Sequence, residues 1–239
     1  MTWKIFSAGA IGGSHRLRNL AYQDAHKTYV DSEMVVGFLT DGCGSGKRSE
    51  IGAGLGVDFL VRRSVTLLRK GLGLDQLGKV LFVDLVDYLG TILNASGLAD
   101  VQQIGGYVND YLLFTALGLV ATSDEIGVLS CGDGVIGFGD DMIYLDQDNK
   151  PSYPAYVLIK NQIQRSPEVL ADRFRTWKLK TDSVSLLTLA SDAFQDRNDL
   201  LLEASKCSSS NQLQMKLNKW TVIEDLLDDD ATVVVARKE

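Results

Sequence analysis

The sequence predicts an α+β fold in which sheets pack together and helices lie outside. Three observations predict it: the first forty residues read as short strands, two long helical patterns follow, and the rest returns to strands with shorter helices among them. With 239 residues and 45% hydrophobic content there is material for one core of good size, whereas two halves would each be small. A single domain spanning residues 1–239 is expected.

The opening strands fall at residues 3–7, 27–30 and 34–39, the last two separated by the turn Asp31-Ser32-Glu33. A helix is predicted over 49–70, with Ile51, Leu55, Phe59 and Leu60 as its buried stripe, basic residues in its last turn and Gly71 as its stop. A second helix takes Asp75 as N-cap, buries Leu77, Leu81, Leu85, Leu89 and Leu93 in turn, and ends near Gly97. Residues 112–121, 126–130, 135–138 and 142–145 then read as a meander. A polar turn at 146–151 and another apolar run at 156–159 follow, and 161–175 carry no assignable pattern. A strand at 184–190, two short helical patterns within 199–220 and a β-branched strand at 232–236 complete the chain. No internal repeat or Pro/Gly/Ser linker divides it.

A net charge of −7, with no long stretch in excess of Lys and Arg, argues against a nucleic-acid or anionic-membrane surface. Cys43, Cys131 and Cys207 form no CxxC pair and leave one unmatched, so neither a disulfide framework nor a cysteine zinc site is indicated, and a reducing compartment is expected. The N-terminal residues lack a charged leader followed by an apolar run, and no stretch reaches the roughly 18 to 20 apolar residues of a membrane span. These features predict a cytoplasmic protein.

Aspartates stand at the ends of apolar strands at five places: Asp24, Asp41, Asp133, Asp192 and Asp229. Carboxylates scattered along a chain yet able to converge at strand ends are what hard divalent cations require, and this points to metal-assisted chemistry on phosphate. The segment Asp41-Gly42-Cys43-Gly44-Ser45-Gly46-Lys47 invites a phosphate-loop reading but fails it: Asp41 stands where the Walker pattern wants Gly, and Arg48 where it wants Ser or Thr. Gly52, Gly54 and Gly56 miss the GxGxxG spacing, and are read as letting a helix pack closely on a sheet. Taken alone, Asp41-Gly42 is an ordinary turn.

Together the segments carry a resemblance. Gln23-Asp24-Ala25, Asp41-Gly42-Cys43-Gly44 with Ser49-Glu50-Ile51-Gly52-Ala53 after it, Gly132-Asp133, Leu189-Ala190-Ser191-Asp192-Ala193-Phe194-Gln195-Asp196 and Asp229-Asp230-Ala231-Thr232 stand in the order of the PP2C-type metal-dependent protein phosphatases. The sequence most resembles the bacterial branch, over nearly its whole length. That resemblance implies a sandwich of two antiparallel β-sheets flanked by helices, with two Mn²⁺ or Mg²⁺ ions at one end. Asp41 would bridge the ions, Gly42 would coordinate through its carbonyl, and Asp24, Asp192 and Asp229 would complete the set. Asp133 and Asp196, with Asp192, match positions that hold a weaker third metal. The implied chemistry is hydrolysis of phosphoserine and phosphothreonine by a metal-bridging hydroxide, on a phosphorylated protein with its cognate kinase as counterpart. A phosphoprotein-binding module without activity, or a hydrolase of small phosphate esters, are the alternatives.

Departures from the family pattern matter. Cys43 stands where the eukaryotic branch has the histidine that protonates the leaving oxygen; a thiol is a poorer donor, and a metal-bound water could substitute. Gln23 replaces a glutamate of many members. The phosphate-binding arginine of the family has two candidates here, Arg16 and Arg18, of which Arg18 lies nearer Asp24. His15 and His26 are read as structural, and Asp229 is preferred to Asp228 and Asp230 by its distance from Thr232. Asp84, Asp87, Asp140 and Asp141 are read as helix-surface or turn residues.

Overall fold

A strand that is apolar at every position must be covered on both faces. Phe-Thr-Ala-Leu-Gly-Leu-Val-Ala, strand β4 (Phe114–Ala121), is buried at all eight positions. The computed structural model describes residues 3–145, 151–159 and 174–239. In it β4 is central to a five-stranded sheet with β2 (Ala25–Val30), β3 (Val35–Gly42), β5 (Glu125–Cys131) and β8 (Arg175–Lys180), in the order β2-β3-β4-β5-β8. The other sheet runs β1 (Trp3–Ala10), β10 (Ala231–Lys238), β9 (Leu186–Ala190), β6 (Gly134–Phe138), β7 (Asp141–Leu145). Every pairing is antiparallel.

Alternation along each strand divides the core into three. Leu39, Leu117, Leu119 and Val128 of one sheet meet Ile136, Leu189, Val234 and Ala236 of the other. On the outer face of the first sheet, Phe38, Ala116 and Val120 pack against α2 (Ser49–Arg69), α3 (Leu74–Ala95) and α4 (Val101–Tyr111). Val233 and Val235 on the outer face of the second pack against α6 (Asn198–Ser205) and α7 (Ser210–Asn218). The fold is therefore an α+β sandwich of two antiparallel sheets with helices outside.

Several expected details shift. The buried face of α2 is Gly52, Ala53, Gly56, Val57, Leu60 and Val61, while Ile51 is 41% exposed. The expected stripe is rotated because two glycines take inner positions, Gly52 against the Tyr111 carbonyl and Gly56 against the Phe114 ring; Gly54 faces open space. All five leucines named for α3 are buried, but its N-cap is Gly73 and Asp75 lies inside the first turn. Besides the short helix at Gly13–Leu17, two longer elements had no counterpart in the sequence reading. One is α4, capped by Asp100, whose side chain accepts from the backbone N–H of Gln102 (2.9 Å) and Gln103 (3.0 Å). The other is β8, an edge strand. The apolar run at Tyr156–Ile159 forms one turn of helix, α5. The expected turn at 146–151 and the unassigned 161–175 lie almost wholly outside the described residues. Among the described residues no helix is long and apolar enough to cross a membrane.

Candidate metal centre

The strand pairings bring the aspartates to one end of the sandwich. Ala25 is paired with Thr40, which sets Asp24 beside Asp41, and Asp41 is itself opposite Thr115. Ala116 pairs with Cys131, so the β5–β6 turn bearing Asp133 follows on the same edge. Val233 pairs with Ala190, which brings Asp192, just beyond β9, near Asp229, just before β10. Gly132 (φ +104°) and Gly134 (φ +129°) flank Asp133 in backbone conformations that side chains rarely adopt.

The result is a cavity of about 120 Å³ lined by Asp24, Asp41, Gly42, Cys43, Asp133, Asp192 and Asp229, together with His15, Gln23, Gly44, Thr115, Pro151, Tyr153 and Asp230. Six of these residues are aspartates, and none is lysine or arginine. Two expected site residues stand apart from it. Arg18 caps the end of the short helix α1 (Gly13–Leu17) and is exposed. Asp196 is also exposed, with φ +63°, beyond the 3₁₀ turn that carries Asp192. The other candidate arginine, Arg16, donates to the Thr221 carbonyl and has Asp225 4.0 Å away, so its guanidinium is engaged elsewhere.

Like charges at this density are costly in a buried place. Burial, then the charges of Asp230, Asp192 and Asp229, push the Asp24 carboxyl well above the ordinary range, against a hydrogen bond from Thr232. Burial, then Asp24, Asp192 and Asp229, do the same to Asp41. Asp192 is raised by burial and by Asp229, and its side chain is hydrogen-bonded to that of Asp41. Without a cation, protons must take up part of this charge. The donor set also fits a cation sterically. Asp24 Oδ2 accepts from Thr232 Oγ1 at 2.6 Å, while the buried Asp24 Oδ1 and Gln23 Oε1 have no hydrogen-bond partner among the described residues. Carboxylate and carbonyl oxygens aimed into a small acidic space suit Mg²⁺ or Mn²⁺.

Asp230 is the residue that the sequence reading missed. Its oxygens accept from the backbone N–H of Gly12 (2.8 Å) and Gln23 (2.6 Å), and it sits 3.0 Å from His15 Nδ1, outside hydrogen-bonding geometry. It thereby ties the loop before Asp24 to the start of β10. The neighbouring Asp229 has a side chain 60% exposed and also lines the cavity. The signal was the doubled aspartate before Ala231-Thr232: one carboxylate for the cavity and one for the loop.

Cys43 is half-buried on the wall, its Sγ 3.1 Å from Ser45 Oγ. Burial opposes its thiolate, but hydrogen bonds from Ser45 and Tyr153 and from the Ser45 and Gly46 backbone prevail and lower its pKa. The Tyr153 hydroxyl is correspondingly raised, by burial first and then by Cys43. His26, by contrast, bonds Ser7 Oγ through Nδ1 at 2.8 Å and does not line the cavity.

Two antiparallel sheets in contact, helices on both outer faces and an acidic cavity at one end define an α+β sandwich with a candidate metal centre. The profile of the Protein phosphatase 2C family matches residues 11–226, and the chain belongs to that family. Among solved structures, the serine/threonine phosphatase Stp1 from Staphylococcus aureus is 14% identical over 100% of this chain and 96% of its own, with a TM-score of 0.62. The S. agalactiae serine/threonine phosphatase is also 14% identical, covers 100% of both chains and has a TM-score of 0.62. The catalytic domain of PstP, solved in complex with two manganese ions, is 12% identical over 98% of this chain and 97% of its own, at 0.57. Identities this low establish a shared fold. No curated protein sequence matches significantly.

Proposed function

We propose that the chain is a metal-dependent phosphoprotein phosphatase acting on phosphoserine and phosphothreonine, with Mn²⁺ or Mg²⁺ held by Asp24, Asp41, the Gly42 carbonyl, Asp192 and Asp229. The observation that carries this reading is the cavity wall, with six aspartates and, among the described residues, no lysine or arginine. A phosphate dianion enters such a place only with cations. Family membership supports the reading, as do the two manganese ions of PstP.

Bound there, divalent cations supply an acidified water as nucleophile and offset the charge of the phosphate. The chain's own residues orient and hold. Thr232 fixes one oxygen of Asp24 and leaves the other for coordination. Ser191 Oγ accepts from Thr232 N–H at 3.0 Å and donates to the Asp230 carbonyl at 3.1 Å, which keeps the Asp192 and Asp229 segments in register. Asp133 is assigned to a weaker third ion. Asp196, being exposed beyond the cavity lining, would have to reach it from the rim. Cys43, on the wall, would be the proton donor to the leaving oxygen if a side chain supplies that proton, and Arg18 lies outside the cavity lining. The same reading takes the chain as one cytoplasmic domain opposed by a protein kinase.

The test is phosphate release from a phosphoserine peptide and from p-nitrophenyl phosphate, with and without Mn²⁺, for the native protein and Asp41→Asn. Manganese-dependent release that vanishes in Asp41→Asn is expected; a native protein inert towards both compounds would overturn it. That no arginine lines the cavity among the described residues favours a second reading, a phosphoprotein-binding module without turnover. That module would bind the peptide and return it intact.

A further inference from the structure

His15 is one of only two histidines in the chain, and the fold places it on the cavity wall rather than in a surface loop. Its side chain is 7% exposed. Nε2 lies 3.8 Å from Asp229 Oδ1, and Nδ1 lies 3.0 Å from Asp230 Oδ2. We propose that His15 Nε2 is a metal ligand paired with Asp229, so that one position of the centre has a nitrogen donor and prefers a transition metal such as zinc to magnesium. The proposal rests on the carboxylate-centre reading given above and adds to it a residue and a selectivity.

Geometry supports the pairing. Two ligand atoms each about 2.1 Å from one ion are about 3.0 Å apart at a right angle and about 3.4 Å apart at a tetrahedral angle. A separation of 3.8 Å therefore asks for a movement of only a few tenths of an ångström. Both partners are already anchored. Asp229 Oδ1 accepts from the Asp230 backbone N–H at 2.7 Å. The helix that carries His15 is tied to the segment leading into Asp229 by Ser14 N–H to the Asp228 carbonyl at 2.9 Å and Gly13 N–H to the Leu227 carbonyl at 3.3 Å. Gly12 packs against the backbone of Asp229 so closely that a side chain there would collide with it.

Chemistry assigns the nitrogen. Asp230 is held in place by two backbone N–H groups, with its Oδ2 3.0 Å from Nδ1. That contact lies outside hydrogen-bonding geometry, but a small turn of the ring would let the carboxylate accept from Nδ1–H and leave the Nε2 lone pair for a metal, the arrangement by which ligating histidines are ordinarily oriented. On the same wall, the buried Asp24 Oδ1 and Gln23 Oε1 find no hydrogen-bond partner among the described residues, so both oxygens would be available to a cation beside His15. Imidazole raises affinity for zinc and the later first-row ions, whereas magnesium favours an all-oxygen shell.

Because only two histidine rings exist, isotopic labelling of histidine nitrogens gives a complete readout by NMR. Tag-free native protein, stripped of metal, is titrated with Zn²⁺ and separately with Mg²⁺; cadmium then replaces zinc to seek a one-bond coupling between the metal nucleus and a ring nitrogen. The expected result is a large shift of the His15 nitrogens with Zn²⁺, a coupling to Nε2 with cadmium, no comparable shift with Mg²⁺, and an unmoved His26 ring. In calorimetry, His15→Gln should weaken Zn²⁺ binding by about ten-fold or more and leave Mg²⁺ binding nearly unchanged. If both ions bind but the His15 ring is unmoved and uncoupled, His15 is no ligand and the carboxylate centre stands without it. If neither ion binds, the carboxylate centre fails as well. Should His15→Gln not fold, the labelled native protein decides alone.

Discussion

Thr232 Oγ1 donates a 2.6 Å hydrogen bond to Asp24 Oδ2, and Oδ1 of the same carboxylate is buried without a hydrogen-bond partner among the described residues. Tyr22 continues the chain by bonding Thr232 Oγ1. One oxygen is thus held by the protein and the other kept for a guest. Thr232→Val removes the hydroxyl at nearly constant shape. It should lower Mn²⁺ affinity by about ten-fold, as loss of an orienting partner does, and cost about 1–3 kcal/mol of stability by leaving a buried acceptor unsatisfied. Calorimetric titration alongside thermal melting checks both; an unchanged affinity would show that Asp24 needs no such hold.

The metal-free protein should lose stability as pH rises. Asp24, Asp41 and Asp192 all have folded values raised above the ordinary 3.8, so each binds its proton more tightly folded than unfolded. Their contribution is whole below that value and is lost as pH climbs through the raised folded values. Melts of stripped protein from about pH 5 to pH 8 should show a falling Tm, and saturating Mn²⁺ should remove the fall. A Tm that climbs over this range without metal would mean that the carboxylates do not repel one another as their burial implies.

Asp133→Ala should spare the two central ions and slow turnover. Asp133 sits in the β5–β6 turn, on a different segment of the same wall from Asp24 and Asp41. Activity plotted against Mn²⁺ concentration should lose its low-affinity phase while calorimetry still finds the tight sites. Native kinetics in this variant would reduce Asp133 to a turn residue.

Cys43→His should raise the rate on phosphoserine peptides more than on p-nitrophenyl phosphate, whose leaving group scarcely needs a proton. A well-placed general acid is worth about 10² to 10⁴-fold, so even a misaligned imidazole should move the ratio of the two rates. If Cys43→Ala and Cys43→His leave that ratio where it is, the proton comes from elsewhere and the thiol only fills the wall beside Tyr153.

The sequence exposed the acidic half of the site because each carboxylate follows or precedes an apolar strand, and strands are its clearest signal. It hid what depends on distant packing. His15 looks like a loop residue until Asp230, over two hundred residues later, is seen to gather Gly12, Gln23 and His15 round one carboxylate. Tyr153 and Thr115 reach the wall only through the fold. The helix α4 was obscured by Gly105-Gly106 and by having Val108 alone fully buried, although Asp100 carried a legible cap. Strand β8, Arg-Thr-Trp-Lys-Leu-Lys, is an edge whose lysines mask the alternation of Trp177 and Leu179, the usual guard against unwanted pairing. The stripe on α2 was misplaced because glycine, invisible to a hydropathy pattern, occupies its inner face.

The pairing of β1 with β10, from Trp3 opposite Lys238 to Ala10 opposite Ala231, has a consequence for the order of events on the ribosome. Strands β2 to β5 and helices α2 to α4 can associate once about half the chain has emerged. The second sheet cannot, because its first strand must wait for its last. Asp229 and the Asp230 anchor arrive with that last strand, so a nascent chain carries Asp24 and Asp41 long before the groups that complete their enclosure. Such long-range closure is slow relative to local pairing. Any reaction the centre performs is thereby withheld until translation of this segment is over.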